Sequence, residues 1–213
     1  MKLYGYSRSS AAFRVRIALN LKGLAYESAF IHLRRGDQSQ PDFLSVNPQG
    51  LVPALESGAL TLIQSLPIIE YLDETLPEPP LLPRDPAGRA RVRALAAIVA
   101  CDIHPINNLR VLRYLHRDLG QNEEAVALWY NHWIAEGFGG LEGLLAGDAR
   151  TGRFCHGDSP SLADIALVPQ VVNAERYRLD LAPYPTIVRI FDTCMMLDAF
   201  AAAHPQRQPD YEE

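Results

Sequence analysis

Hydrophobic and polar positions change rhythm once along the chain. Over the first 82 residues the pattern predicts short strands alternating with helices. Lys2–Tyr6 reads as an extended start. Arg14–Leu21 carries helical spacing that stops at Gly23, a residue suited to the left-handed end of a helix. Tyr26–Leu33 reads as a second strand and Asp42–Val46 as a helical turn. Leu51–Glu56 and Leu60–Ile63 flank Ser57-Gly58-Ala59, the signature of a hairpin. Ser65–Leu76 then closes the unit as a helix with Ile68, Ile69, Leu72 and Leu76 on one stripe. The order βαβ followed by ββα predicts a small mixed sheet of the thioredoxin type.

A break follows. Leu76–Pro86 holds five prolines in eleven residues. Each proline fixes φ, removes a donor and turns the preceding residue away from helix, so this stretch reads as a linker. Beyond it the strand signal vanishes. Ala87–Leu119 reads as one long helical tract kinked at Pro105, and Glu123–Leu145, Leu162–Ala174 and Thr186–Phe200 as three further helices. Ser161-Leu162-Ala163-Asp164 is a capping box, with Asp as its acid, that starts the third of these tracts at Ser161. The expected fold class is α+β: a thioredoxin-like α/β domain over residues 1–82, then an all-helical domain over residues 87–213.

Composition narrows what such a fold can do. The 213 residues are 48% hydrophobic and 21% charged, ordinary for a globular protein, and no apolar run is long enough to span a bilayer. The start Met-Lys-Leu-Tyr-Gly-Tyr-Ser-Arg lacks the apolar core of a secretory signal, so a cytoplasmic protein is the expectation. A net charge of −5 offers no global positive field for a nucleic acid. Only Lys2 and Lys22 among the 20 basic residues are lysine, so an anion site here is built from planar arginine forks suited to carboxylates. Cys101, Cys155 and Cys194 have neither metal-site nor disulfide spacing and read as buried, inert thiols.

Three short segments carry candidate chemistry. Ser7-Arg8-Ser9-Ser10 falls between the first strand and first helix, where helix N–H groups and hydroxyls can stabilise an anion or a thiolate. Asn47–Pro53 ends in Val52-Pro53, a proline at the start of a strand. Gln64-Ser65 opens a helix directly after a strand, a second seat for a carboxylate. Each of these also reads as a plain turn or helix cap. Further on, Asp102, His104, Asn107 and Asn108 interrupt a helix rich in Ala, Leu, Ile and Val. Buried polar groups cost about 1–3 kcal/mol each when unsatisfied, so such a cluster calls for partners, from a ligand or from within the fold.

Taken together, Ser9-Ser10-x-x-Phe13-Arg14-Val15-Arg16-Ile17-Ala18-Leu19, Asn47-Pro48-Gln49-Gly50-x-Val52-Pro53 and Gln64-Ser65-x-x-Ile68-Ile69-Glu70-Tyr71-Leu72 resemble the zeta class of glutathione transferases. Cys101–Asn108, Leu167–Val171 and His204-Pro205-x-Arg207-Gln208-Pro209 are similar to the bacterial maleylacetoacetate isomerases of that class, and the related maleylpyruvate isomerases share most of these motifs. The resemblance implies a glutathione-dependent cis–trans isomerase acting on a small dicarboxylate, with glutathione returned at the end and no metal required. A glutathione transferase acting on α-halo acids, or a non-catalytic binding protein on the same fold, remains open beside it. By residue-wise matching, Ser9 or Ser10 donates to the glutathione sulfur. Val52, followed by Pro53, pairs its backbone with the cysteinyl part, and Gln64 and Ser65 hold the γ-glutamyl carboxylate with Gln49 nearby. Asp102 is implied to reach across the interface of a homodimer, while His104 and Asn108 line the glutathione site. Arg8, Arg110 and Arg176 stand as carboxylate forks for the substrate, with Arg110 reading equally well as part of a solvated helix face. Two departures are visible: Ala11 stands where many zeta members carry Cys, and Phe13 where Trp is common.

Overall fold

The computed structural model describes residues 1–212, and the chain packs as two units. The first comprises Met1–Leu81 together with the chain from Met195 onward, and the second Leu82–Cys194. The last stretch, expected as part of a helical domain over 87–213, is grouped with the first unit.

In the first unit, β1 (Lys2–Gly5), β2 (Glu27–Phe30), β3 (Ala54–Ser57) and β4 (Leu60–Ile63) form a sheet in the order β2-β1-β3-β4. β1 runs parallel to β2, pairing Lys2 with Glu27, and antiparallel to β3, pairing Tyr4 with Ala54. β3 and β4 pair Ala54 with Ile63 across a hairpin whose turn residue Gly58 has φ +62°, a conformation that favours glycine. β2 is shorter than the Tyr26–Leu33 run predicts, because it is an edge strand and the chain turns away through the left-handed Gly36. α1 (Ser10–Leu21), α2 (Pro41–Val46) and α3 (Ser65–Thr75) complete the α/β part.

α1 is the spine of this unit. Every residue from Ser10 to Leu19 is buried, since α3 and a late helix, α9 (Asp198–Ala203), both pack on it. Two arginines are enclosed in this apolar setting. Arg14 donates to Ser65 Oγ at 3.3 Å. Arg16 donates to the carbonyls of Ala203 (3.0 Å), Ser7 (3.0 Å) and Tyr6 (3.4 Å). Burial lowers the Arg16 guanidinium to about 10, which leaves it charged at neutral pH. At the far end, Gly23 (φ 65°) stops α1, and Lys22 Nζ donates to Asp73 Oδ1 (2.7 Å) and to the carbonyls of Leu76 and Pro79 (both 2.6 Å). One buried ammonium thus ties the end of α1 to the end of α3 and to the proline-rich linker.

The second unit holds α4 (Pro86–Ala97), α5 (Leu109–Arg117), α6 (Glu123–Ala146), α7 (Leu162–Arg176) and α8 (Pro185–Met195). Asp85, Asn108 and Asn122 cap α4, α5 and α6 through their side-chain oxygens. The capping box of α7 is present: the buried Asp164 accepts from Ser161 N–H (2.8 Å), Ser161 Oγ–H (2.7 Å) and Cys155 N–H (2.8 Å). Burial raises the Asp164 carboxyl above its ordinary value, and these bonds oppose the rise.

Two helical expectations need correction. The tract 87–119 is not one kinked helix. α4 passes into a π-helix at Ile98–Ile103, a turn follows, and α5 begins anew. Pro105 has no N–H and its ring crowds the carbonyl four residues back, so the ladder widens to the His104 N–H to Val99 carbonyl bond (2.9 Å) before it stops. Gly137 on α6 makes room for the bulge, since a Cβ there would lie 2.2 Å from Ile103 Cδ1. Likewise, Thr186–Phe200 is not one helix: it breaks between α8 and α9, where the chain returns to the first unit. Burial of Phe200 and Ala203, with the Asn20 Nδ2–H bond to the Ala199 carbonyl (2.9 Å) and the Arg16 bond to Ala203, rewards the turn over continued helix. The cysteines also divide. Cys155 and Cys194 are buried, and burial pushes both thiols up, whereas Cys101 is exposed rather than buried.

Candidate active site

The sheet register brings the three segments of the first unit to one end of the sheet. β1 leads out through Gly5 to Ser7–Ser10. Because β3 is antiparallel to β1 and β4 to β3, Val52-Pro53 enters β3 and Ile63-Gln64-Ser65 leaves β4 at that same end. The topology thus places two helix N-termini beside an entering strand.

At the first N-terminus Ser9 is the cap of α1, its Oγ accepting Ala12 N–H at 3.2 Å. Capping uses an oxygen lone pair and leaves the hydroxyl proton able to donate. Ser9 is half-buried, while Ser10 is buried at the first helical position. The cap is therefore one of the two candidate sulfur donors.

At the second N-terminus, Gln64 caps α3 with φ 68° and no side-chain capping bond. Positive φ is costly for a residue with a side chain, about 1–3 kcal/mol, and persists where surroundings impose it. Pro67 offers no N–H, so the donors at this end are the N–H groups of Ser65 and Leu66 and the Ser65 hydroxyl. Arg14 donates to Ser65 Oγ, which turns the serine proton outward as a donor. The Gln64 amide reaches Gln49 Oε1 at 3.0 Å, joining the turn that precedes β3 to the cap of α3. That turn is held by buried Asn47, which accepts Gln49 N–H (3.1 Å) and donates to the Leu51 carbonyl (2.7 Å). Val52 lies ahead of the β3 ladder with its backbone unclaimed by it, and the Val52–Pro53 peptide is cis. The α3 end thus offers free N–H donors and a hydroxyl, and Val52 a strand backbone outside the ladder. Gln64→Gly is expected to leave the urea midpoint unchanged or raised, because the strain is relieved, while glutathione affinity falls. A midpoint lowered by the equivalent of more than about 1–2 kcal/mol, the loss expected from glycine's freer unfolded chain and the lost Gln49 bond, would show that the φ of Gln64 carries no strain.

Arg8 is half-buried beside these residues, with a feature that sequence reasoning missed. The C-terminal tail lies across the loop. Asp210 Oδ2 accepts Ser7 N–H (2.8 Å) and the Asp210 carbonyl accepts Ser7 Oγ–H (3.2 Å). The Arg8 guanidinium sits 5.3 Å over the Tyr211 ring and donates to the Glu212 carbonyl. The Glu212 carboxylate is held instead by His32 Nε2 (3.1 Å) and Arg35 (2.5 Å). A charged, tyrosine-bearing chain end gives no periodicity to read.

The remaining sequence-derived residues lie in the second unit. Asp102 lies in the last turn of the π-helix and is exposed, and the half-buried His104 caps that helix. Asn107 is buried and donates to the Tyr130 carbonyl (3.0 Å), and Asn108 caps α5 by accepting Arg110 N–H (3.1 Å). Part of that polar cluster therefore serves the turn itself. The Arg110 side chain is exposed on α5. Arg176 ends α7 with its guanidinium 5.3 Å over the Tyr177 ring, which stacks on Tyr130 at 3.7 Å. Burial pushes the Tyr130 phenol up to about 12, and Arg176 opposes that shift. Among the described residues, no group of three or more His, Cys, Asp or Glu is placed to hold a metal ion, and no helix is long and apolar enough to cross a membrane.

Comparison with known proteins identifies the family. Residues 1–74 match the family described as the glutathione S-transferase N-terminal domain. A probable maleylacetoacetate isomerase of Vibrio cholerae is 54% identical over 210 residues, covering 98% of this chain and 97% of its own. A solved structure of a bacterial maleylpyruvate isomerase, described as a zeta-class glutathione S-transferase in its holo form, superposes with a TM-score of 0.98 at 53% identity, covering all of both chains. A maleylacetoacetate isomerase of Methylobacterium extorquens AM1, solved with malonate and glutathione bound, superposes with a TM-score of 0.97 at 48% identity, again covering all of both chains. The chain belongs to the glutathione transferase family, in its zeta class.

Proposed function

We propose that this chain is a glutathione-dependent cis–trans isomerase that converts maleylacetoacetate to fumarylacetoacetate in the breakdown of aromatic compounds such as tyrosine. The observation that carries the reading is the convergence of Ser9, Val52 and the Gln64-Ser65 seat at one end of the sheet. Bound there, glutathione supplies a thiolate nucleophile whose reversible addition allows the cis double bond to rotate.

The protein's part is to make that thiolate available and to hold the partners still. A thiol of pKa about 8.5 is only about 3% ionised at neutral pH, and a two-unit fall requires about 2.7 kcal/mol of differential stabilisation. The Ser9 hydroxyl and the positive end of α1 act on the sulfur together, a charge-assisted hydrogen bond and a helix dipole. Ser9 is preferred over Ser10 as the donor because Ser10 is buried at the first turn. Ala11 removes a protein thiol from this loop, so no step relies on one. Gln49, Gln64 and Ser65 take the γ-glutamyl end and Val52, ahead of Pro53, the cysteinyl backbone. In the second unit, the proposed roles are Asp102, His104 and Asn108 toward glutathione and Arg110 and Arg176 toward carboxylate, with Arg8 as a further fork in the first unit. The reading includes a cytoplasmic homodimer.

A second reading, maleylpyruvate isomerase, is favoured by the relative of that name at 53% identity. Both are tested by following the absorbance of enzymatically generated maleylacetoacetate and maleylpyruvate with and without substoichiometric glutathione. Fast conversion with free glutathione unchanged is expected, and the faster substrate chooses the name. Glutathione consumed in step with halide release from an α-halo acid would instead make the chain a transferase. Measurable glutathione binding with neither dicarboxylate converted would overturn the isomerase reading.

A further inference from the structure

We infer that the C-terminal tail, through Tyr211 and the backbone of Glu212, positions Arg8 for a carboxylate, so that the end of the chain helps set dicarboxylate recognition. The inference rests on the reading of Arg8 as a carboxylate fork.

The chemistry of the contacts singles out this role. A carboxylate binds an arginine through the edge of the guanidinium, where two N–H groups lie side by side. The Arg8 guanidinium carbon lies 5.3 Å over the Tyr211 ring, and the neutral Glu212 carbonyl takes one of its N–H donors. Neither contact neutralises the charge. Among the described residues of the tail, both carboxylates have other partners: Asp210 accepts from Ser7 N–H at 2.8 Å, and Glu212 pairs with His32 at 3.1 Å and Arg35 at 2.5 Å. The tail thus holds Arg8 without competing for the ligand.

Holding it has value because an arginine is costly to order. A free side chain of this length surrenders much rotamer entropy on binding, and a pre-placed one has already lost it. The loop that carries Arg8 is fixed from both sides. Asp210 grips Ser7 from the tail, and the buried Arg16 takes the Tyr6 and Ser7 carbonyls from within. With the backbone pinned and the ring and carbonyl limiting the side chain, the guanidinium retains few orientations.

The test uses the full chain with glutathione present and malonate as the dicarboxylate probe. Calorimetry gives the malonate dissociation constant, and the separately measured glutathione affinity and melting temperature serve as controls. Tyr211→Ala is expected to weaken malonate about three-fold, the size of an exposed cation–π contact. Tyr211→Phe, which keeps the ring, should bind as the parent does. Deleting residues 210–213 is expected to weaken malonate about ten-fold, as the carbonyl is lost as well. Once Arg8→Ala is in place, Tyr211→Ala should add nothing, since the tail acts through Arg8. If the two substitutions add, or if the deletion weakens glutathione as much as malonate, the tail is a structural clasp and the inference fails. If Arg8→Ala alone leaves malonate binding unchanged, the reading of Arg8 itself fails, whichever way the tail variants behave. Because malonate binding needs no turnover, neither result depends on the isomerase assignment.

Discussion

Replacing Ser9 by Ala is expected to lower kcat/KM at pH 7 by about 30- to 100-fold, the worth of one hydrogen bond to a charged atom. The substitution removes two functions of one oxygen. As a cap it satisfies Ala12 N–H, a contribution of about 1 kcal/mol to stability. As a donor it favours the thiolate over the thiol, and its loss raises the pKa of the bound sulfur. The sign of the pH effect follows: the acidic limb of the kcat/KM profile moves to higher pH, and the deficit shrinks as the solution becomes basic enough to ionise the sulfur unaided. Ser9→Thr keeps both the lone pair and the proton and should retain most of the activity. A Ser9→Ala enzyme with an unshifted profile, beside a Ser10→Ala enzyme with a shifted one, would transfer the role to Ser10.

The second large effect is on stability. Lys22→Met is expected to cost about 3–4 kcal/mol, because removing one partner of a buried ion pair leaves the other desolvated and uncompensated. Lys22 is fully enclosed and the Asp73 side chain is only 10% exposed. The methionine also leaves the carbonyls of Leu76 and Pro79 without their donor. A loss of that size lowers the melting temperature by about 10 °C in a chain this long. Replacing Asp73 by Asn in the same molecule should recover part of the loss, since the stranded charge is gone while an acceptor for Leu81 N–H remains. A Lys22→Met protein that melts with the parent would show that the cluster contributes no net stability.

Much of the fold was legible because local chemistry and tertiary packing agree. Gly23 and Gly58 take the left-handed conformations that their sequence contexts call for, and the alternation around Gly58 is that of the observed hairpin. Ser161 and Asp164 form the expected capping box. What the chain hides depends on distant partners. Ile98–Ile103 has ordinary helical composition, and its π-helix is visible only through Pro105 beyond it and Gly137 opposite. Met196-Leu197 carries no breaker, and the helix ends there because Phe200 and Ala203 bury against α1. At the site, the three segments of the first unit could be located by their strand-to-helix positions. Gln64 gave no local sign of its positive φ, since a glutamine is an unusual residue to hold one. Arg8 and the tail meet across about two hundred residues of chain, and Asp210-Tyr211-Glu212 reads locally as a solvated terminus.

The return of the chain to its first unit orders events during synthesis. α1 is sealed on one side by α3, which follows it closely, and on the other by α9, which comes only after the whole second unit. At about 5–20 residues per second, the apolar flank of α1 and the buried Arg16 wait for about 7–28 seconds after the sheet has emerged from the ribosome. In that interval the helices of the second unit are made one after another, while the α/β part, although earlier in the chain, still lacks its closing piece. The thioredoxin-like unit is therefore begun before the second unit and completed after it, so its nascent form leaves an apolar flank of α1 open in between.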